Sequence, residues 1–260
     1  MTSVIEAAQR AKAASARLAR MTTAEKDRAL ARTAAAIESR ADEIFAANRQ
    51  DLDAARRLVE TGKMAESLYR RLKLDDAKLR DMVAGIRQVI ALEDPVGKVT
   101  YGMELDEGLR LYRVNCPIGV VGVIFESRPD ALVQITALCF KSGNAVLLKG
   151  GREAERSNQK LFEIIRAATV SDQANGEWPA DAMALLERRE DVGEMLRAEG
   201  YVDLIIPRGS NALVRFVQEN TLIPVLGHAD GLCHVYVDRA ADLAKASAIV
   251  KDAKLSYPAA

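Results

Sequence analysis

Four short loops hold the residue types that could bind an anion or move a proton. They are "ESRPD" (Glu126 to Asp130), "KGGRE" (Lys149 to Glu153), "PRGS" (Pro207 to Ser210) and "GHAD" (Gly227 to Asp230). In the first, Arg128 offers a planar donor fork for phosphate or carboxylate. Pro129 suits the first turn of a helix whose free amides favour the same charge. The alternative is a surface ion pair of Arg128 with Glu126 or Asp130. In the second, Gly150 and Gly151 let a ligand approach the backbone between Lys149 and Arg152, or they simply make a tight turn. In the third, Arg208, Gly209 and a helix capped by Ser210 or Asn211 bring a guanidinium, amides and a hydroxyl together. That set suits a pyrophosphate, or it is a helix cap and nothing more.

The fourth loop extends to "GHADGLCH", which gathers His228, Asp230, Cys233 and His234. Cys233 and His234 are neighbours in an expected strand, where successive side chains point to opposite faces. Neither a metal site nor a Cys-His nucleophile pair is therefore expected. Neither Gly-rich dinucleotide or phosphate fingerprint occurs, and no G-x-S-x-G elbow supports a serine hydrolase.

The elements that must position these loops follow a repeating order. "GVVGVIF", "AVLLK", "AMALLE", "VDLIIP", "IPVL" and "CHVYV" read as strands, separated by helical stretches such as "PDALVQITALCFKSG" and "EAERSNQKLFEIIRAA". Strands that are apolar on both faces and alternate with helices predict an α/β fold with a parallel sheet covered by helices. Ligands in such sheets bind beyond the carboxyl ends of the strands, which is where the four loops fall. Upstream, residues 1–93 read as Ala-rich helices, with "TTAE" (Thr22 to Glu25) in capping-box form. Residues 94–116 read as a β-hairpin around Asp106-Glu107-Gly108, and residues 117–260 as the α/β domain.

With 49% apolar residues in 260, the chain can bury a large core. Lys+Arg and Asp+Glu tie at 37 each and are interspersed, so neither nucleic acid nor an anionic membrane is an expected partner. Apolar runs such as "IGVVGVIF" are too short to span a bilayer, and Glu6 and Arg10 stand where a signal peptide needs an apolar core. A cytoplasmic location is expected. Cys116, Cys139 and Cys233 lie far apart in apolar surroundings, which predicts buried free thiols in strand or helix interiors.

Taken in order, "LEDPVGKV", "PIGVVGVIFESRPD", "SGNAVLLKGGREAERSN", "VDLIIPRGS" and "IPVLGHADGLCHVYVD" resemble the motifs of the γ-glutamyl phosphate reductases. These are the glutamate-5-semialdehyde dehydrogenases of the aldehyde dehydrogenase superfamily. "FESRPD" and "YPAA" are similar to the reductase half of bifunctional pyrroline-5-carboxylate synthases. The resemblance implies a Rossmann-like sheet of the aldehyde dehydrogenase type with a hairpin used in oligomerisation. It also implies NADPH-dependent reduction of L-glutamate 5-phosphate to the semialdehyde in proline biosynthesis, through a cysteine thioester. Under it, Lys149, Gly150, Gly151 and Arg152 approach the adenosine ribose and its 2′-phosphate. Arg208, Gly209 and Ser210 approach the pyrophosphate, Gly227 belongs to the same cofactor site, and Arg128 contacts an oxyanion or the substrate phosphate. A homo-oligomer is implied, with glutamate 5-kinase as an upstream partner.

Two departures from that family pattern carry expectations of their own. Oxidising members place a glutamate where this chain has Val225, and its absence spares a thioester from hydrolysis. The family's nucleophilic cysteine follows a Pro-Ala-Ala stretch, matched here by Pro258, Ala259 and Ala260. The expectation is therefore that nucleophile and catalytic domain lie outside these residues, which alone bind NADPH at best. The competing expectations are a non-catalytic nucleotide-binding or oligomerisation module, or another acyl reductase of the superfamily.

Overall fold

A computed structural model describes residues 3–126, 128–170, 178–227 and 233–256, in two compact units that divide after residue 228. The first unit opens with five helices: α1 (Val4–Leu18), α2 (Thr23–Ser39), α3 (Ala41–Glu60), α4 (Glu66–Leu72) and α5 (Asp76–Ala91). Reciprocal capping boxes start the first two, Ser3 with Glu6 and Thr22 with Glu25, and Asp75 caps α5 through the Lys78 amide. Each cap supplies partners for amides that a helix start leaves unpaired. On α1 the buried face is largely alanine, which lets the helix lie close to the sheet. Leu18, Leu30, Ile37, Ile44 and Ile86 share one continuous core with Val120, Phe140, Leu147 and Ile164. Each such fully buried side chain contributes roughly 1.5–3 kcal/mol, so helices and sheet stand or fall together.

A hairpin follows, β1 (Val99–Asp106) paired antiparallel with β2 (Leu109–Val114), turning at Glu107 and Gly108. Every residue of both strands is exposed. Lys26 and Asp94 fix its base: the Lys26 ammonium is 2.9 Å from Asp94 Oδ2, with both side chains almost wholly buried.

The sheet is parallel and four-stranded: β3 (Val120–Phe125), β4 (Ala145–Lys149), β5 (Met183–Leu186) and β6 (Leu204–Arg208), in the order β5-β4-β3-β6. Helices α6 (Pro129–Lys141), α7 (Glu155–Val170), α8 (Asp191–Leu196) and α9 (Asn211–Glu219) connect or follow the strands. From β3 the chain adds strands on one side as far as β5, then crosses to place β6 on the other. β3 is therefore the point where strand order reverses, and its carboxyl end opens a crevice.

The α/β expectation and its order of elements hold as far as β6, with three corrections. "IPVL" makes only one bridge, Val225 to Ile205, extending the sheet past β6 without a full strand. The segment from Cys233 to Val237 forms no strand among the described residues. A strand needs a neighbouring backbone to pair with, and the only regular element described in the second unit is helix α10 (Leu243–Leu255). Finally, Cys116 and Cys233 are exposed rather than buried, and only Cys139, inside α6, is enclosed. Cys116 falls in the non-strand link between β2 and β3, where apolar neighbours in sequence do not bring burial. The "GHAD" residues His228, Ala229 and Asp230, and the tail Tyr257 to Ala260, lie outside the described residues.

Candidate functional site

The crevice at the carboxyl end of β3 is built from loops on either side of it. Phe125 and Arg208 are register partners on β3 and β6, so the chain leaves both strands at the same level. Glu126 follows Phe125, and its Oε2 accepts a hydrogen bond from the Ser210 amide at 3.2 Å. Ser210 is the N-cap of α9, its hydroxyl accepting from the Leu213 amide. The candidate pyrophosphate seat thus already receives an anionic oxygen from the protein itself. Gly209 makes the approach possible: a Cβ there would stand 2.5 Å from Glu126 Oε2.

On the other side of β3, Ile124 pairs with Lys149 at the end of β4. Lys149 is buried, and its Nζ donates to the Gly150 carbonyl at 2.6 Å. Burial lowers its pKa, opposed chiefly by the nearby Asp191 carboxylate. Gly150 presses against the Asn158 side chain and the Phe125 ring, a contact that leaves no room for a Cβ. The helix beyond is anchored from below. Asp51 on α3 accepts from the Arg156 amide (3.2 Å), the Ser157 amide (2.8 Å) and the Ser157 hydroxyl (2.6 Å), and buried Asn48, one turn away, bonds the same hydroxyl. This α3 pair sets where the Gly150–Arg152 loop ends and α7 begins.

These loops enclose a cavity of about 520 Å³, within the roughly 300–1,000 Å³ of small-ligand sites. Its wall includes Glu126, Lys149, Gly150, Gly151 and Arg152, together with Phe125 and Leu213. Lys63, from the turn after α3, and Arg189, from the loop after β5, complete the cationic side. A second cavity of about 580 Å³ shares Met64, Arg152 and Glu153 with it and continues between α3 and the start of α7.

Other residues singled out by sequence fall differently. Arg208 is exposed beside Gly209, at the rim of the β6 loop. Arg128 is the N-cap residue of α6, half-buried, and makes no ion pair with Glu126 or Asp130 among the described residues. Gly227 packs against Val214 and Gln218 of α9 and does not line the cavity. His234 is exposed, and no group of three metal-ligating side chains converges among the described residues.

Glu126, Lys63, Arg189 and the Asn48–Asp51 anchor were not identified from sequence. One signal was available: the rule that points to loops after strands applies equally to "ERRE" (Glu187 to Glu190) after β5. Asp51 carries no such signal, because its partner helix is 105 residues away in the chain.

A carboxylate standing on a helix amide, a diglycine at a strand end and a cationic wall together can hold a dinucleotide's phosphates. Comparison with known proteins points the same way. The model of the aldehyde dehydrogenase family matches residues 1–257. The γ-glutamyl phosphate reductase of Acetivibrio thermocellus is 53% identical over 257 residues, 99% of this chain and 58% of that protein. That of a Synechococcus strain is 55% identical over 252 residues, 97% of this chain and 55% of that protein. The crystal structure of γ-glutamyl phosphate reductase from Thermotoga maritima superposes with a TM-score of 0.91 at 38% identity, covering 100% of this chain and 61% of that one. The Saccharomyces cerevisiae reductase gives 0.82 at 43%, covering 98% and 63%. The chain thus spans less than two thirds of the length of each of these relatives. By the match along nearly all of its residues, the chain belongs to the aldehyde dehydrogenase family.

Proposed function

We propose that these residues form the NADPH-binding part of an enzyme that reduces L-glutamate 5-phosphate to L-glutamate 5-semialdehyde and phosphate in proline biosynthesis. The observation that carries the reading is the crevice at the switch point, where the Ser210 amide at the start of α9 already donates to a carboxylate oxygen and the wall opposite is cationic. The residues fit a nucleotide's phosphates, with Glu126 standing in for a phosphate oxygen. Similarity to proteins named γ-glutamyl phosphate reductase supports the choice of substrate.

Bound there, NADPH would supply the hydride. The Ser210 amide and Arg208 would hold the pyrophosphate, and the backbone at Gly150 and Gly151 would let the ribose approach closely. Arg128, ahead of α6, would steady the negative oxygen as a thiolate displaces phosphate from the acyl group. Val225 adjoins β6 where a carboxylate would otherwise activate water, so the acyl-enzyme would be kept for reduction. The thiolate is neither Cys139, which is enclosed and whose pKa burial pushes up to about 12, nor Cys116, at the opposite end of β3. The fully exposed hairpin favours assembly into a homo-oligomer, since a two-stranded hairpin alone is only marginally stable in water.

The test is NADPH oxidation by the full-length protein containing these residues, supplied with L-glutamate 5-phosphate. Turnover with that substrate is expected. Turnover only with a different acyl phosphate or thioester would refute the substrate assignment.

A further inference from the structure

We infer that Lys63 and Arg189, rather than Lys149, read the 2′-phosphate that distinguishes NADPH from NADH. The inference rests on the nucleotide reading above and goes beyond it in naming the discriminating cations. Lys149 is committed elsewhere: it is buried and its ammonium bonds the carbonyl of its own loop. Desolvation also lowers its pKa, which weakens it as a fixed charge for a phosphate dianion.

Lys63 and Arg189 come from separate elements and reach the same cavity wall as Gly150, Gly151 and Arg152. Both are exposed, and neither has an ion-pair partner among the described residues. Their backbones are nevertheless held in place. At Lys63, α3 ends in a left-handed glycine, Gly62, and the Lys63 and Met64 amides both return to the Leu58 carbonyl. Met64 then packs with Ala55, Leu72 and Ala154, two residues from Arg152. At Arg189, the preceding residue is clamped. The Arg188 guanidinium is 2.8 Å from Asp191, and Asp191 Oδ2 also accepts from the Glu187 and Arg188 amides. Asp191 thus neutralises Arg188 and fixes the turn, while Arg189 forms no ion pair among the described residues. Two anchored cations facing a diglycine make a phosphate site more specific than one engaged lysine.

The test compares adenosine 2′,5′-bisphosphate with adenosine 5′-monophosphate, two probes that share all but the 2′-phosphate and need no catalytic residue. Titration calorimetry on the full chain is expected to show the bisphosphate bound more tightly. Lys63→Gln and Arg189→Gln should each weaken the bisphosphate about tenfold and leave the monophosphate within about twofold, with Arg189→Lys recovering part of the loss. Both side chains are exposed, so thermal melts should coincide with the wild type. Equal losses for both probes, or no loss for either, would overturn the inference while leaving the nucleotide site standing. A wild-type chain that binds both probes equally would do the same. A wild-type chain that binds neither would overturn the nucleotide reading and this inference with it.

Discussion

The Glu126 carboxylate accepts the Ser210 amide at 3.2 Å, bridging the loops that leave the adjacent strands β3 and β6. An acidic side chain therefore sits on the helix amide best placed for a pyrophosphate, and a bound dinucleotide has to displace it. Competition and like-charge repulsion act in the same direction. Removing the charge in Glu126→Gln is expected to tighten NADPH binding by roughly three- to tenfold and to steepen its weakening with salt, because the attraction to the cationic wall is then unopposed. Calorimetric titration at two ionic strengths reads this directly, and weaker binding by the variant would show that Glu126 is a ligand for the cofactor instead of its competitor.

Asp51 tests how the diglycine loop is held. It is 5% exposed and accepts three hydrogen bonds from the first turn of α7. Asp51→Ala would strand two helix-start amides and a buried hydroxyl, at a cost of about 2–4 kcal/mol. Urea unfolding measures the loss, and a change below about 1 kcal/mol would mean that water replaces the carboxylate at no net cost. Nucleotide affinity should fall as well, because Arg152 and the diglycine lead directly into that turn.

What could be read from sequence divides along physical lines. Strands β3 and β4 are buried on both faces, so their uninterrupted apolar runs announce them, and the chemistry of the loops after them follows from parallel-sheet geometry. "CHVYV" has a similar texture but pairs with no neighbour among the described residues, and texture alone cannot reveal that. Cys116 is exposed for a related reason: hydrophobic neighbours in sequence describe the strand that follows, not the exposed link in which the thiol sits. The convergence of Lys63, Arg152 and Arg189 depends on how α3, α7 and the β5 loop dock, and periodicity identifies a buried face without naming the partner it meets. Glu126 is visible as a loop residue, but its engagement with Ser210 depends on β3 and β6 being neighbours, although 78 residues lie between Phe125 at the end of β3 and Leu204 at the start of β6.

The Lys26–Asp94 pair makes a prediction in acid. Burial alone would raise the Asp94 pKa, but hydrogen bonds from the Lys26 ammonium, the Val96 amide and the Thr23 hydroxyl outweigh it and bring it below the usual carboxylate value. A group depressed in the folded state adds stability that is fully present above the unfolded pKa, near about 4, and is lost as pH falls through the folded value. Asp94→Asn should therefore cost about 3–5 kcal/mol at neutral pH, because Lys26 is left buried without its partner. It should also flatten the acid limb of a melting-temperature profile. Parallel acid limbs in variant and wild type would assign the acid sensitivity to other carboxylates.

The three thiols bear on whether these residues can turn substrate over by themselves. Cys139 is enclosed in α6, with its pKa pushed up to about 12 by burial, so near neutral pH it is protonated and out of reach. Cys116 is exposed in the link that precedes Val120, whereas the crevice lies beyond Phe125, a strand length of roughly 20 Å away. Cys233 is exposed as well, in the second unit. A nucleophile needs both a depressed pKa and proximity to the reacting carbon, and neither Cys116 nor Cys139 combines the two. The 260-residue chain is accordingly expected to bind NADPH without oxidising it in the presence of L-glutamate 5-phosphate. In native protein, iodoacetamide should label Cys116 and Cys233 and spare Cys139 until denaturant is added, while NADPH affinity stays unchanged. Turnover by the chain that disappears in Cys233→Ser would identify Cys233 as the nucleophile and remove the reason for seeking it elsewhere.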